Sequence, residues 1–279
     1  MTLTVTALVL AAALMHAGWN AIVKSNADRL ISMSWIAAFT SVIAIPATFL
    51  VPLPGVDAIK FLAVSLAIHT AYMLLLVRAY VWDFGQVYPL ARGLAPVLVT
   101  FYGVVILGET LTTSTLVAIG LIAAGIVSLS LRRGQVSANS HLSVVYALAT
   151  GLAIACYTVV DGIGGRTATT PISYVVWLFA VHGIPITVIT FLRRTPADLF
   201  GDHRLIVQAT GGALMSVLAY GIVIWAMART PLGPVSALRE TSVVFAALIS
   251  SIVLKEAGGR FVLAATSVVA AGIILLRLG

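Results

Sequence analysis

Apolar residues run through this chain in continuous stretches of about twenty, and that feature constrains the fold more than any other. A stretch of that length crosses the roughly 30 Å hydrocarbon core of a bilayer as an α-helix. Strands of a membrane barrel would instead alternate apolar and polar residues over about ten positions. Composition agrees, with 61% of residues hydrophobic and only 9% charged, where a soluble domain carries about 25% charged residues. One soluble core could not hide so much apolar surface. In lipid every backbone N–H and C=O must be paired within the segment, so the chain is expected to be an all-α membrane protein.

Ten transmembrane helices are predicted, near 3–23, 30–51, 58–80, 85–107, 112–131, 141–163, 171–192, 204–228, 232–254 and 260–277. The connections are short and hold the breakers, such as Pro52-Leu53-Pro54-Gly55 and Arg132-Arg133-Gly134. They leave no room for a soluble domain, and the first run reads as a helix that stays, not as a cleaved signal. The net charge of +7 does not point to nucleic acid, because the basic residues are scattered a few per loop. Loops after odd-numbered spans hold Lys24, Arg29, Arg78, Arg132, Arg133, Arg193, Arg194, Arg204, Lys255 and Arg260; the opposite side holds Lys60, Arg166, Arg229 and Arg277. Basic loops stay in the cytoplasm, which places both termini outside it, in a multi-pass protein of the cell inner membrane. The single cysteine, Cys156, excludes an internal disulfide and reads as a packing residue.

The sequence also repeats. A shift of 147 positions lays Arg92 on Arg239, Leu107 on Leu254, Glu109 on Glu256 and Gly125 on Gly272. Residues 1–134 and 135–279 then form two repeats of five spans each. An odd number of spans makes the second repeat enter the membrane in the opposite sense. Inverted repeats of this kind build many secondary transporters, with the site near mid-membrane between the halves. Duplication of a helical unit without transport is the plainer reading.

Leu107-Gly108-Glu109-Thr110-Leu111 with Gly120 and Gly125, and Leu254-Lys255-Glu256 with Gly272, resemble the paired EamA repeats of the drug/metabolite transporter superfamily. His16-Ala17-Gly18-Trp19-Asn20-Ala21 and Arg92-Gly93-Leu94-Ala95-Pro96 share that look. The resemblance covers the whole chain and is specific for the family, not for a substrate. It implies a ten-helix carrier, often an exporter of amino acids or other small metabolites, with amino-acid exporters of the YddG type nearest in look. The second repeat departs from the first, since Lys255 stands where Gly108 does and no Trp-Asn pair recurs in span 6.

Polar side chains inside spans cost about 2.5–3.5 kcal/mol when ionisable, so each needs a reason. His16, Trp19, Asn20 and Lys24 fall on one face of span 1; Lys24 reads as snorkelling to the interface. His69 and Tyr72 share a face of span 3, while Tyr80 and Trp82 suit an interfacial belt. Tyr88 and Arg92 share a face of span 4 between Pro89 and Pro96, and span 9 repeats the theme with Pro234, Ser236, Arg239 and Glu240. Trp177 and His182 lie in span 7, and Tyr220 and Trp225 in span 8. Tyr157 and Asp161 share a face of span 6, but Gly162, Gly164 and Gly165 make Asp161 look loop-side. Glu109 and Glu256 each precede a helix, whose positive N-terminal end suits a carboxylate, and Gly120 with Ala124 suggests close helix packing. The candidate substrate-binding set is His16, Trp19, Asn20, His69, Tyr72, Tyr88, Arg92, Trp177, Tyr220 and Arg239. The competing reading makes them structural, with both arginines snorkelling and the histidines bridging helices.

No phosphate loop, paired-His metal motif or serine elbow occurs, so neither enzyme, cofactor nor metal is expected. A channel would favour rings of charge or of carbonyls. The expected function is a secondary carrier of small polar metabolites, amino-acid efflux foremost, with Arg92 or Arg239 on the carboxylate. The alternative, a cationic-drug exporter, needs a central acid, for which Glu240 is the deep candidate. Protons could be coupled through His16, His69, His182 or Glu240, and simple exchange needs none of them. The loop charges carry their own test: a reporter active only in the cytoplasm, fused after Gly279, is expected to stay silent, and a strong signal would reverse the orientation.

Overall fold

The structure is a computed structural model and describes residues 1–79, 84–130, 140–253 and 259–278. Its elements are helices: α1 (Leu3–Ser25), α2 (Arg29–Ala47), α3 (Val56–Ala79), α4 (Phe84–Val105), α5 (Thr113–Ser128), α6 (Ser140–Thr167), α7 (Pro171–Phe191), α8 (Pro196–Phe200), α9 (His203–Met227), α10 (Leu232–Glu240), α11 (Ser242–Val253) and α12 (Gly259–Leu278). Their starts are set by short polar side chains that accept from otherwise orphaned backbone N–H groups. Asp28 accepts from Leu30 and Ile31 at the head of α2, Thr112 caps α5, and Thr170 with Ser173 forms a reciprocal cap around Pro171 at the head of α7. The chain is a multi-pass helical membrane protein. Among the described residues eight helices are long and apolar enough to cross a bilayer.

Two of the ten expected spans differ from what their apolar runs suggested. The run at 112–131 yields the sixteen-residue α5. The run at 232–254 is not one helix: α10 ends at Glu240 and α11 begins at Ser242. At the join, Thr241 Oγ1 donates to the Leu238 carbonyl at 2.6 Å, and Val244 N–H returns to the Thr241 carbonyl at 2.9 Å. The hydroxyl thus takes over a carbonyl near the end of the α10 ladder.

Helices from the two halves of the chain interleave. α2 packs on α7, α5 on α12 and α4 on α10, while α3 on α6 is matched by α1 on α9. Moved by 147 positions, α1 to α5 fall on α6, α7, α9, the α10–α11 pair and α12, and these pairings map onto one another. The α5–α12 seam is reciprocal at the level of residues. A Cβ on Gly125 would lie 2.6 Å from Val269 and 3.2 Å from the Ala265 carbonyl; one on Gly272 would lie 2.7 Å from Ile122 and 3.0 Å from the Ala118 carbonyl. Gly120, expected at a close contact, has nothing within 4 Å of where its Cβ would sit. Cys156, expected in packing, is exposed on the outside of α6.

The α2–α7 contact is tighter still. Ser41 Oγ donates to the Phe179 carbonyl at 3.0 Å and accepts from Gly183 N–H at 3.0 Å, so it is inserted between two groups that an unbroken helix would join directly. A Cβ on Gly183 would come within 2.0 Å of the Ala37 carbonyl. Gly183→Ala must push the two helices apart and is expected to cost ~1–3 kcal/mol, lowering the melting temperature of purified protein; Gly120→Ala should leave it within a degree or two.

Candidate functional site

Two buried carboxylates organise the centre of the molecule. The first is Glu240, the last residue of α10, which is fully buried. Arg92 from α4, also fully buried, donates from Nη1 to Glu240 Oε2 at 2.9 Å. Arg239 Nε lies 3.6 Å from the other oxygen, Oε1, outside hydrogen-bond reach. One acid therefore stands between two arginines that are counterparts under the 147-residue shift. Arg239 turns away from it, donating from Nη1 to Thr158 at 3.1 Å and from Nη2 to the Tyr157 hydroxyl. Its guanidinium lies over the rings of Tyr157, at 5.2 Å, and Tyr220, at 5.1 Å.

Arg92 also donates from Nη2 to the Tyr72 hydroxyl at 3.0 Å and to His16 Nε2 at 2.7 Å. Guanidinium has no acceptor, so in this contact His16 Nε2 must be the acceptor. The indole N–H of Trp19 donates to Nδ1 of the same ring at 3.2 Å. A neutral imidazole offers one lone pair. Arg92 and Trp19 therefore compete for one acceptor on His16.

The second carboxylate is Asp161 of α6. The expectation that it is loop-side is wrong: it is fully buried and accepts three bonds, from Tyr174 at 2.8 Å, His69 Nε2 at 3.0 Å and Tyr220. The glycines that suggested a loop are packing sites instead. A Cβ on Gly164 would lie 2.3 Å from the Tyr174 ring, and one on Gly162 would lie 2.5 Å from Leu232. His69 stacks on Tyr157 with ring centres 4.1 Å apart and meets His182 edge-on at 5.0 Å.

Between these clusters lies a cavity of about 530 Å³, open solvent included, lined from seven helices of both halves. Of the expected set, His16 and Trp19 on α1, His69 and Tyr72 on α3, Tyr220 on α9 and Arg239 on α10 face it. The other four do not. Arg92 sits one layer behind, on His16 and Tyr72; Tyr88 lies under the Arg92 guanidinium at 5.0 Å; Asn20 donates back to the His16 carbonyl at 2.8 Å; and Trp177 is half-buried elsewhere on α7. Sharing a helix face with a lining residue was the signal for them, and it does not distinguish the first layer from the second. The sequence-based set lacked Tyr157, His182, Thr40 and Ser216, which do line the cavity. Ser216 was findable, since it is His69 moved by 147 positions. Among the described residues no three His, Cys, Asp or Glu side chains converge as a metal site requires.

Glu109 is structural, but at a helix other than the one expected. Its carboxylate accepts from Leu232 N–H, at 3.0 Å to Oε2, at the start of α10, whose Pro231 provides no side-chain cap. Arg166 joins it at 2.7 Å and also donates to the Met227 and Thr230 carbonyls. α5, which follows Glu109 in the chain, is capped by Thr112 instead. Glu256 lies outside the described residues, as do Tyr80 and Trp82.

The Arg92–Glu240 pair is expected to behave as a buried ion pair. Glu240→Gln leaves Arg92 buried without a counter-charge and should destabilise the protein by ~3–5 kcal/mol, and adding Arg92→Met should recover much of that loss. Denaturant melts of the single and double variants check both statements.

Residues 141–278 match a family model described as the EamA-like transporter family. A comparison with curated proteins finds no match. Among solved structures 27 chains match. One of them, a crystal structure described only as that of a protein, aligns with a TM-score of 0.79 over 100% of this chain and 98% of its own at 14% identity. At that identity the likeness concerns the fold alone. The family match lies on the second half of the chain, and it is to membrane transporters of small molecules.

Proposed function

We propose that the whole chain is an EamA-type secondary transporter of small polar metabolites, with amino-acid efflux foremost, working in the cell inner membrane by alternating access. The observation that carries this reading is the central cavity, lined from both halves and bordered by the break between α10 and α11. Discontinuous helices beside a mid-membrane cavity are how secondary transporters free backbone and side-chain groups for a substrate. The reciprocal α5–α12 seam and the matched pairings of α3 on α6 and α1 on α9 support two inverted five-helix halves, 1–134 and 135–279, making ten spans with both termini outside the cytoplasm. In this reading α5 and the α10–α11 pair cross the bilayer along with the eight longer helices.

Within the cavity Arg239 takes the substrate carboxylate, and His16, Trp19, His69, Tyr72 and Tyr220 shape the rest. The rival reading, a cationic-drug exporter, needs a carboxylate facing the cavity. Glu240 is held by Arg92 and Asp161 by three donors, and neither is among the lining residues. Counterflow in proteoliposomes decides between them: labelled amino acids are expected to exchange saturably and quaternary ammonium compounds not to, and the reverse pattern would favour the drug exporter. Repeating the assay with an imposed pH gradient tests proton coupling. His182 lines the cavity and its buried Nδ1 has no hydrogen-bond partner, so His182→Ala removes edge-on contacts with His69 and Phe179 but no hydrogen bond at Nδ1. It should cut exchange by ~10-fold or more while shifting the melting temperature by only a few degrees.

A further inference from the structure

The charges around the cavity are asymmetric in a way that bears on its substrate. Arg239 is the one formally charged side chain among the described lining residues, and neither Asp nor Glu is among them. Neither of the two carboxylates nearby lines the cavity, although Glu240 Oε1 has no hydrogen-bond partner. Glu240 Oε2 is taken by Arg92, and Asp161 accepts from Tyr174, His69 and Tyr220. The buried Arg239 Nε–H has no hydrogen-bond partner and lies 3.6 Å from Glu240 Oε1. The remaining polar lining groups include the hydroxyls of Thr40, Tyr72 and Ser216, each able to donate. An ammonium could in principle bind against aromatic faces. Here the faces of Tyr157 and Tyr220 already carry the Arg239 guanidinium, at 5.2 and 5.1 Å, so a second cation would meet a like charge at close range.

From this we infer that the cavity is a carboxylate site that does not need an ammonium group, and that aromatic monocarboxylates are substrates at least as good as the matching amino acids. This rests on the transport reading for its use, though not for its binding chemistry. The carboxylate lies on Arg239, and the aromatic part of the substrate packs among Phe179 and the tyrosine rings. An α-ammonium finds hydroxyl groups and the His182 ring there but no carboxylate, so its presence adds little.

Three compounds that share a phenylethyl group test it: 3-phenylpropanoate, phenylalanine and 2-phenylethylamine, which carry the carboxylate alone, both groups and the ammonium alone. Each is measured as a competitor of phenylalanine counterflow in proteoliposomes and as a ligand that raises the melting temperature of detergent-purified protein. Phenylpropanoate is expected to match or exceed phenylalanine in both, with phenylethylamine at least ~10-fold weaker, a difference set by one charged contact. Arg239→Gln should weaken both carboxylates by ~10-fold or more and bring the three compounds together, and Arg239→Lys should restore part of the order. Phenylethylamine binding as well as phenylpropanoate, phenylalanine binding at least ~10-fold better than phenylpropanoate, or an unchanged order in a folded Arg239→Gln would each overturn the inference. If the glutamine variant does not fold, the wild-type order decides. Melting shifts in the expected order without any counterflow would sink the transport reading and leave the site. Uptake of other amino acids with no response to any of the three would do the opposite.

Discussion

A single carboxylate, Glu240, is asked to serve two buried arginines, and the centre of the structure is arranged around that shortage. Burying a guanidinium without a partner costs several kcal/mol. Arg92 meets the requirement by taking Glu240 directly and by filling its other donors with His16 and Tyr72. Arg239 is left at 3.6 Å from the same acid and makes up the difference with Thr158, the Tyr157 hydroxyl and two aromatic faces. The 147-residue correspondence in the sequence locates the mismatch. Both arginines have a counterpart in the other half, whereas the position matching Glu240 is Gly93, where a Cβ would run into Val127 at 2.4 Å. The half without the acid closes up against α5, and the half with the acid breaks its helix at the next residue.

Asp161 does for the opposite wall what Glu240 does for the arginines. Its three donors come from α3, α7 and α9, so one side chain on α6 fixes the meeting of four helices. This leaves His69 stacked on Tyr157, with Tyr220 edge to face against both, in a fixed frame. A cavity with such walls is preorganised, which is what lets a few polar groups discriminate between ligands.

Much of the helical layout is written in the sequence, because hydrocarbon forces continuous apolar runs and the caps between them are short polar residues. The pairing of Arg92 with Arg239 and the shared faces of His16 with Trp19 and His69 with Tyr72 are also readable, since helical spacing alone places them. Depth is not. Tyr88 and Arg92 face inward as their spacing implies, yet they form the second layer, because His16 and Tyr72 from other helices stand in front of them. Asp161 was hidden by Gly162, Gly164 and Gly165, which look like a loop in one dimension and serve in three as the flat surface that admits Leu232, Tyr174 and Ile224. Glu109 precedes one helix in sequence and caps a different one in space, and no local pattern carries that information. Thr241 stands in the polar run Arg239-Glu240-Thr241-Ser242, and that run does not say in one dimension that the helix parts there.

The central claim is that this cavity opens to one side of the membrane at a time and closes around a substrate. Ser216 lines it, and the chain's single cysteine, Cys156, lies outside it on α6 and can be replaced by serine. Ser216→Cys in that background should react with a membrane-impermeant thiol reagent from one side of oriented vesicles. Saturating phenylalanine should slow that reaction or move it to the other side. Labelling at the same rate with and without substrate, or none from either side in a protein that still exchanges phenylalanine, would contradict the account.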